Sequence, residues 1–155
     1  MFFVLLYGLI IVLAILHLIF TKKPRTLYRI AEIFLCYFLL GVGLSNLNAY
    51  ILHVFFATTL SQLPVTLFQY QLGMAYLGIA FLGVLCIFFR GNFWLATIIM
   101  NTVFNWGVAY RYIALMIRSH QYQLRGIGLL FDLYVLIPLI TIILYIIMRR
   151  QKPNI

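Results

Sequence analysis

Six polar side chains stand inside long apolar stretches of this sequence and form its candidate ligand site. They are Asn46, His53, Gln71, Asn105, Arg111 and Asp132. Histidine, amide and guanidinium groups donate hydrogen bonds to a carbonyl oxygen, and a carboxyl group can relay protons. Because an unpartnered polar group in an apolar segment costs free energy, such residues mark either a site or a polar contact between helices.

Arg111 and Asp132 are the charged members of this set. Arg111 stands seven residues before the end of its apolar run, and Asp132 stands six residues into the next run. At about 1.5 Å per residue both lie roughly 8–9 Å below the same boundary, which predicts an ion pair. Two alternatives stay open: Arg111, between Tyr110 and Tyr112, extends towards the boundary, or Asp132 is protonated or bonded to amides at its helix start.

The composition predicts a membrane protein. Of the 155 residues, 66% are hydrophobic and 8% are charged, and the mean hydropathy is +1.11. A soluble domain needs a polar surface that this chain cannot supply. We therefore expect one all-α transmembrane bundle over residues 1–155, inserted in a lipid bilayer.

Apolar runs separated by turn signals predict five helices. Their ranges are 1–20, 29–56, 68–89, 93–117 and 127–148. Each run is long enough for the roughly 20 residues that a membrane crossing needs. The first run lacks a basic start and a small-residue cleavage motif, so we expect a retained helix rather than a cleaved signal peptide.

The cations predict the orientation of these helices. One side of the membrane carries Lys22, Lys23, Arg25, Arg29, Arg90, Arg149, Arg150 and Lys152. The other side carries Arg118 and Arg125. The positive-inside rule then puts the N-terminus outside and the C-terminus in the cytoplasm. Despite the net charge of +9, the cations do not form a patch with base-reading residues, and we expect no nucleic-acid partner.

Polar and small residues on the second helix recur on one stripe. The stripe contains Glu32, Cys36, Gly43, Asn46, Tyr50 and His53. Polar side chains avoid lipid, so the stripe is expected to face the bundle interior. It serves either as interhelical hydrogen bonding with close packing at Gly43, which we favour, or as a polar track that ends at His53. Glu32 lies one turn from Arg29, which predicts a local ion pair.

Small residues on the third helix form two opposed faces, Gly73/Ala80/Gly83 and Ala75/Gly78. This pattern predicts that the third helix is central, with a neighbour on each side. Gln69 and Gln71 at its outer end either lie as polar caps at the membrane interface or turn inward as part of the polar site.

The fourth helix carries Thr97, Asn101, Asn105 and Tyr112 on one stripe. The two asparagines are expected to meet the second or third helix. We expect the Trp94 indole at the membrane boundary. Cys36 and Cys86 are expected in core packing, and without metal-ligand spacing or a nucleophile arrangement we expect no metal site and no catalytic residue.

From "LFQYQLGMAYLGIAFLGVL" (67–85) onwards the chain resembles an uncharacterised family of small multi-spanning bacterial membrane proteins, a domain of unknown function. That family's motif reads Phe-Gln-x-Glu-Val-Gly-x-Ala-Asn. The resemblance continues through "HVFF" (53–56), "RGNFWLATII" (90–99), "NWGVAY" (105–110) and "FDLYVLIPL" (131–139), and covers roughly residues 30–145, with the first helix as an addition.

The chain departs from the family pattern at three positions. Gln71 replaces the acidic residue, Tyr76 replaces the asparagine, and Arg111 stands where the family has a histidine. If the family has an acid–histidine site, the resemblance implies that this chain has changed two of its members and has kept His53 and Asp132. The resemblance also implies the bacterial inner membrane. The arrangement is more distantly similar to DoxX-like four-helix proteins, some of which take part in quinone-linked redox chemistry.

These observations support a non-enzymatic integral membrane protein. It is expected to be either an accessory subunit or a protein that binds a lipid-like ligand. Its expected partner is another membrane protein or further copies of itself in a homo-oligomer. We expect it to carry no cofactor. An alternative is a quinone-linked redox component that uses His53, Gln71, Arg111 and Asp132. A small proton-coupled carrier is a weaker alternative.

Overall fold

A computed structural model of the chain describes residues 2–22, 24–56, 66–119 and 131–151. These ranges hold five α-helices: α1 (Phe2–Phe20), α2 (Leu27–Tyr50), α3 (Leu67–Leu85), α4 (Asn92–Ser119) and α5 (Ile137–Arg150). Two π-helical segments accompany them. Ile51–Phe56 extends α2, and Phe131–Leu136 leads into α5.

The predicted all-α class is confirmed, since no β-strand occurs in the described ranges. Each predicted helix is present, with most ends displaced by one to four residues. The predicted start of the last helix, at 127, lies outside the described residues. The π-helical segments were not predicted, because a slightly wider turn leaves the apolar pattern of a short segment almost unchanged.

Threonine and glycine residues fix where the helices begin. At the start of α2, Thr26 Oγ1 accepts a hydrogen bond from the Arg29 N–H at 3.3 Å. At the start of α3, Thr66 Oγ1 accepts from the Gln69 N–H, and Gln69 Oε1 accepts from the Thr66 N–H at 3.0 Å. This capping box ties the Gln69 side chain to the start of α3. Between α3 and α4, Gly91 has a φ of +70°, which suits glycine and permits the short turn.

The central helix is α2, which packs against α1, α3 and α5 and also touches α4. The prediction that the third helix is central is therefore wrong. A Cβ added to Gly83 would lie 2.5 Å from the Gly43 Cα, so the backbones of α2 and α3 meet there. Gly73, Ala80 and Gly83 are buried on this face. On the other face, a Cβ at Gly78 would meet no atom of another described element within 4 Å, although α3 also contacts α4.

Trp94 lies in the first turn of α4 and packs in the core. Its side chain is 1% exposed, and its Nε1–H donates a hydrogen bond of 2.8 Å to the Cys86 carbonyl oxygen. Cys86 is fully buried beside Thr97, which confirms its expected place in core packing. The indole thus holds the end of α3 against the first turn of α4.

One end of the bundle carries most of the described cations. Ala31, Trp94 and Met148 share one core cluster, so α2 and α4 begin where α5 ends. The described cations in and beside these helix ends are Lys22, Arg25, Arg29, Arg90, Arg149 and Arg150. We call this end the cation-rich end; Arg111 and Arg118 lie in the last turns of α4, at the opposite end.

Three segments are long and apolar enough to cross a membrane: Phe2–Phe20, Leu27–Val54 and Leu67–Leu85. Large apolar side chains also cover the outside of the bundle; Val4 is 72% exposed, Val103 68% and Phe81 61%. So much exposed apolar surface is unusual for a soluble monomer. Both features suggest a membrane protein, as the composition predicts.

Candidate ligand-binding cavity

A cavity of about 180 Å³, lined by both polar and apolar side chains, lies between the helices in the half of the bundle away from the cation-rich end. An engineered cavity of about 150 Å³ can hold benzene, so this space suits a ring or a small headgroup. All five helices or their π-helical extensions contribute to its wall. The polar and aromatic members are Phe3, Tyr7, Ser45, Asn46, His53, Tyr76, Asn101, Asn105 and Tyr134.

Three of the six predicted site residues line this cavity: Asn46, His53 and Asn105. Gln71 and Arg111 do not line it, and both are exposed on the outside of their helices. The side chain of Asp132 lies outside the part of the chain that the structure describes. Among the described side chains of the predicted site, the cavity thus brings together Asn46, His53 and Asn105 and does not include Gln71 or Arg111.

The asparagine pair on α4 forms the buried floor of the cavity. Asn105 Nδ2 donates a hydrogen bond of 2.8 Å to Asn101 Oδ1. Asn101 is 1% exposed, and its own Nδ2 is buried without a hydrogen-bond partner among the described residues. The asparagines thus bond to each other, one turn apart, and line the cavity beside residues of α2 and α3, the helices that they were expected to meet. Asn101 Nδ2 is therefore a buried donor without a partner in the described ranges, on a residue of the cavity wall.

On the α2 side of the cavity, the side-chain donors of Ser45 and Asn46 bond to the backbone of α2 itself. Asn46 Nδ2 donates to the Val42 carbonyl oxygen at 2.8 Å, and the Ser45 hydroxyl donates to the same oxygen at 3.0 Å. Both side chains are buried. These two groups each have a partner within α2, whereas Asn101 Nδ2 is buried with no hydrogen-bond partner in the described ranges.

Aromatic rings form the wall opposite α1. The His53 ring stacks on the Tyr76 ring, with centroids 5.5 Å apart and planes 8° from parallel. Tyr76 meets Phe104 edge-on at 5.2 Å, and Tyr134 lies against Tyr112 at 6.4 Å. His53 comes from the π-helical segment after α2. Such segments are often found at functional sites, because the wider turn redirects side chains.

Five polar members of the wall were not assigned to the site by sequence reasoning: Tyr7, Ser45, Tyr76, Asn101 and Tyr134. A signal existed for two of them. Asn101 precedes the predicted site residue Asn105 by one turn, and Tyr76 occupies the position where the family motif has an asparagine. The three others lie in segments whose pattern resembles ordinary core packing.

The stripe on α2 is divided between two pockets. Asn46 and His53 line the cavity, whereas Glu32 and Cys36 line a second pocket at the cation-rich end. The close contact at Gly43 lies between them. This arrangement supports the packing interpretation of the stripe over a continuous polar track.

The predicted ion pair between Arg29 and Glu32 is wrong. Glu32 Oε1 instead pairs with Arg90 Nη1 at 2.5 Å, in the turn between α3 and α4. Sequence proximity favoured Arg29, but the packing of α3 on α2 brings the Arg90 guanidinium to the carboxylate. In the described ranges no three His, Cys, Asp or Glu residues are placed to hold a metal ion.

The fold and the site together describe one class of protein, an all-helical bundle with long apolar helices around an internal cavity. The chain belongs to a family of unknown function, DUF6790, whose model matches residues 1–154. The likeness to an uncharacterised family is thereby confirmed, but its expected range of 30–145 was too short, since the family includes the first helix. No curated protein matches the chain, and no solved structure does.

Proposed function

We propose that the chain is a five-span membrane protein of the cell membrane. Three segments already qualify by length and composition. The fourth helix, α4, has 28 residues, and α5 continues from Phe131–Leu136 without a break. Residues 131–150 therefore extend roughly 30 Å at about 1.5 Å per residue, the thickness of a bilayer core.

The charges support an orientation with the N-terminus outside and the C-terminus in the cytoplasm. The cation-rich end would face the cytoplasm, where short loops carry an excess of Lys and Arg. The cavity would then lie in the outer half of the membrane. We also propose, from the sequence resemblance, that this membrane is the bacterial inner membrane and that the bundle is distantly related to DoxX-like four-helix proteins.

We propose that the cavity binds a small, neutral, lipid-like molecule. The observation that carries this proposal is the buried Nδ2 of Asn101, which has no partner within the described ranges. Leaving such a donor unpaired costs about 1–3 kcal/mol. A carbonyl, ether or hydroxyl oxygen of a ligand would accept this hydrogen bond and recover that free energy.

The cavity wall supports an amphipathic ligand. Its floor is polar and buried at Asn101, whereas Leu52 at its rim is 52% exposed. Between them lie the His53 and Tyr76 rings, whose flat faces suit a ring or an unsaturated chain. A molecule with an oxygen-bearing head would put its head at Asn101 and its apolar body towards the rim.

The two alternative functions, a quinone-linked redox component and a proton-coupled carrier, receive less support. A quinone has the required carbonyl oxygens and belongs to the proposed ligand class. The redox alternative relied on His53, Gln71, Arg111 and Asp132, and of the described side chains in that set His53 alone lines the cavity. A carrier needs a path across the bundle, which the separation of the two pockets at Gly43 does not favour. An accessory role beside another membrane protein or a second copy is compatible with ligand binding.

Mass spectrometry of the purified protein tests the binding proposal. The protein is extracted in a mild detergent, its bound small molecules are recorded under native conditions, and the same molecules are identified after organic extraction. We expect wild type to retain a neutral lipid-like molecule and Asn101→Leu, which removes the donor at similar volume, to lose it.

Asn48→Leu is the matched control. Asn48 is a half-buried asparagine of α2 outside the cavity, so the same substitution there leaves the ligand in place. Retention of the ligand by Asn101→Leu would contradict the proposal, as would equal loss in both variants.

A further inference from the structure

A second pocket, of about 230 Å³, lies at the cation-rich end of the bundle and plays no part in the proposed cavity function. It is formed by the end of α1, the first turns of α2 and the turn between α3 and α4. Its polar members are His17, Arg29, Glu32, Cys36, Tyr37 and Arg90. The two pockets lie in opposite halves of α2.

Arg29 has donor capacity to spare in this pocket. The residue is half-buried, and its Nε is buried without a hydrogen-bond partner in the described part of the chain. A guanidinium offers five N–H donors in a planar fork that matches the oxygens of a phosphate. An unpaired buried donor on a half-buried cation is costly, so the position favours an anionic acceptor.

Arg90 and Tyr37 are held in place by the protein. One nitrogen of Arg90 pairs with Glu32, and its guanidinium lies 5.8 Å from the centre of the Trp94 ring. The Arg90 side chain is still 58% exposed, so further donors remain accessible. Tyr37 and His17 are hydrogen-bonded at 3.2 Å, which fixes the opposite wall.

The electrostatics of the pocket favour an anion. Two guanidinium groups face one carboxylate, and Lys22 and Arg25 lie in the segment that joins α1 to α2. Two helices, α2 and α4, also begin at this end. The free N–H groups of helix N-termini carry partial positive charge and attract phosphate groups.

We propose that this pocket binds the phosphate group of an anionic phospholipid. It lies at the end of apolar helices, at the level where lipid headgroups meet water. Basic pockets between helices on the cytoplasmic side bind anionic headgroups in other membrane proteins. Glu32 neutralises part of Arg90, so the net attraction suits a phosphodiester with a single charge.

The test compares phospholipids on the purified, delipidated full-length protein. Native mass spectrometry measures the affinity for phosphatidylglycerol and for phosphatidylcholine, which share a phosphate but differ in net charge. We expect phosphatidylglycerol to bind more tightly, and Arg29→Gln to weaken it by about fivefold, the contribution of one arginine to an anionic headgroup. Arg118→Gln, the same change at the opposite end of α4, leaves the affinity unchanged.

Two further variants keep the test valid if Arg29→Gln does not fold. Arg29→Lys keeps the charge and loses the fork, so its affinity lies between wild type and Arg29→Gln. Glu32→Gln frees Arg90 and raises the affinity for phosphatidylglycerol at least twofold. An unchanged or lower affinity in Glu32→Gln contradicts the assignment.

Inorganic phosphate separates the two sources of a phosphate group. At millimolar concentration it displaces little phosphatidylglycerol if the lipid is the ligand. Complete displacement would overturn the lipid assignment in favour of free phosphate, and equal binding of phosphatidylcholine would overturn it too. Asn101→Leu leaves this binding intact, so failure here is distinct from failure of the cavity proposal.

Discussion

The side-chain amides of Asn101 and Asn105 are joined by a hydrogen bond of 2.8 Å, one turn apart on α4. The bond uses the oxygen of Asn101 and leaves its nitrogen donor buried, with no partner in the ranges that the structure describes. Both residues line the cavity. The Nδ2 of Asn101 is thus a buried donor on a residue of the cavity wall, which is the basis of the proposed ligand recognition.

The contact between α2 and α3 predicts a strong effect of one added methyl group. In Gly83→Ala the new Cβ would meet the Gly43 backbone at 2.5 Å, and backbone cannot move aside as a side chain can. We expect a loss of about 1–3 kcal/mol in unfolding free energy, measured by thermal or denaturant unfolding in detergent. Gly78→Ala is the control: its Cβ meets no described atom within 4 Å, so helix propensity should raise stability by up to about 1 kcal/mol. Equal losses in the two variants would refute the contact.

The pairing of Glu32 predicts which arginine is coupled to it. A double-mutant cycle of Arg90→Gln with Glu32→Gln should give a coupling of up to about 1 kcal/mol, small because the Arg90 side chain is 58% exposed. The same cycle with Arg29→Gln in place of Arg90→Gln should give a coupling near zero. Unfolding in detergent measures both, and a larger coupling for Arg29 would restore the local pair that the sequence suggested.

The ion pair between Arg111 and Asp132 stays a prediction. Tyr112 lies against Tyr134 at 6.4 Å, so the segments that carry the two charges run side by side. If they pair, Arg111→Leu or Asp132→Leu alone lowers the unfolding temperature, and the double variant recovers most of the loss because no charge is left unpaired. Additive losses would instead favour Arg111 as an anchor at the membrane boundary.

The proposed topology predicts a pattern of cysteine accessibility. In a background with Cys36→Ala and Cys86→Ala, single cysteines are introduced by Phe2→Cys, Lys22→Cys, Arg118→Cys or Gln151→Cys. A membrane-impermeant maleimide should label positions 2 and 118 in intact cells. It should label positions 22 and 151 only after the cells have been permeabilised. Labelling of both 2 and 22 from outside would eliminate the first crossing.

The helices could be predicted because each apolar run is long and ends at charged or turn-forming residues. The run that ends at "TKKPR" and the turn "RGN" are examples, and α1 and α4 end or begin within a few residues of them. The buried half of α2 was predicted for the same reason, since polar residues on an apolar helix have to face inward. Local chemistry was sufficient for these features.

Partners across the bundle could not be predicted, because sequence spacing does not reveal which helices meet. Gly78 and Gly83 are equally small, and the packing of α3 alone decides that Gly83 touches α2. Glu32 was assigned to its neighbour in sequence and pairs with Arg90, 58 residues away. Asn101 was recognised as polar, but its unpaired donor depends on the bond that Asn105 makes.

A high-resolution structure of the protein in lipid nanodiscs tests the central claim most directly. The account predicts a small molecule in the cavity with an oxygen atom about 2.8–3.2 Å from Asn101 Nδ2, the range of an N–H···O hydrogen bond. Its apolar part should lie along the His53 and Tyr76 rings towards Leu52. A cavity filled by water alone, with water on Asn101 Nδ2 in wild type purified from its native membrane, would contradict the claim.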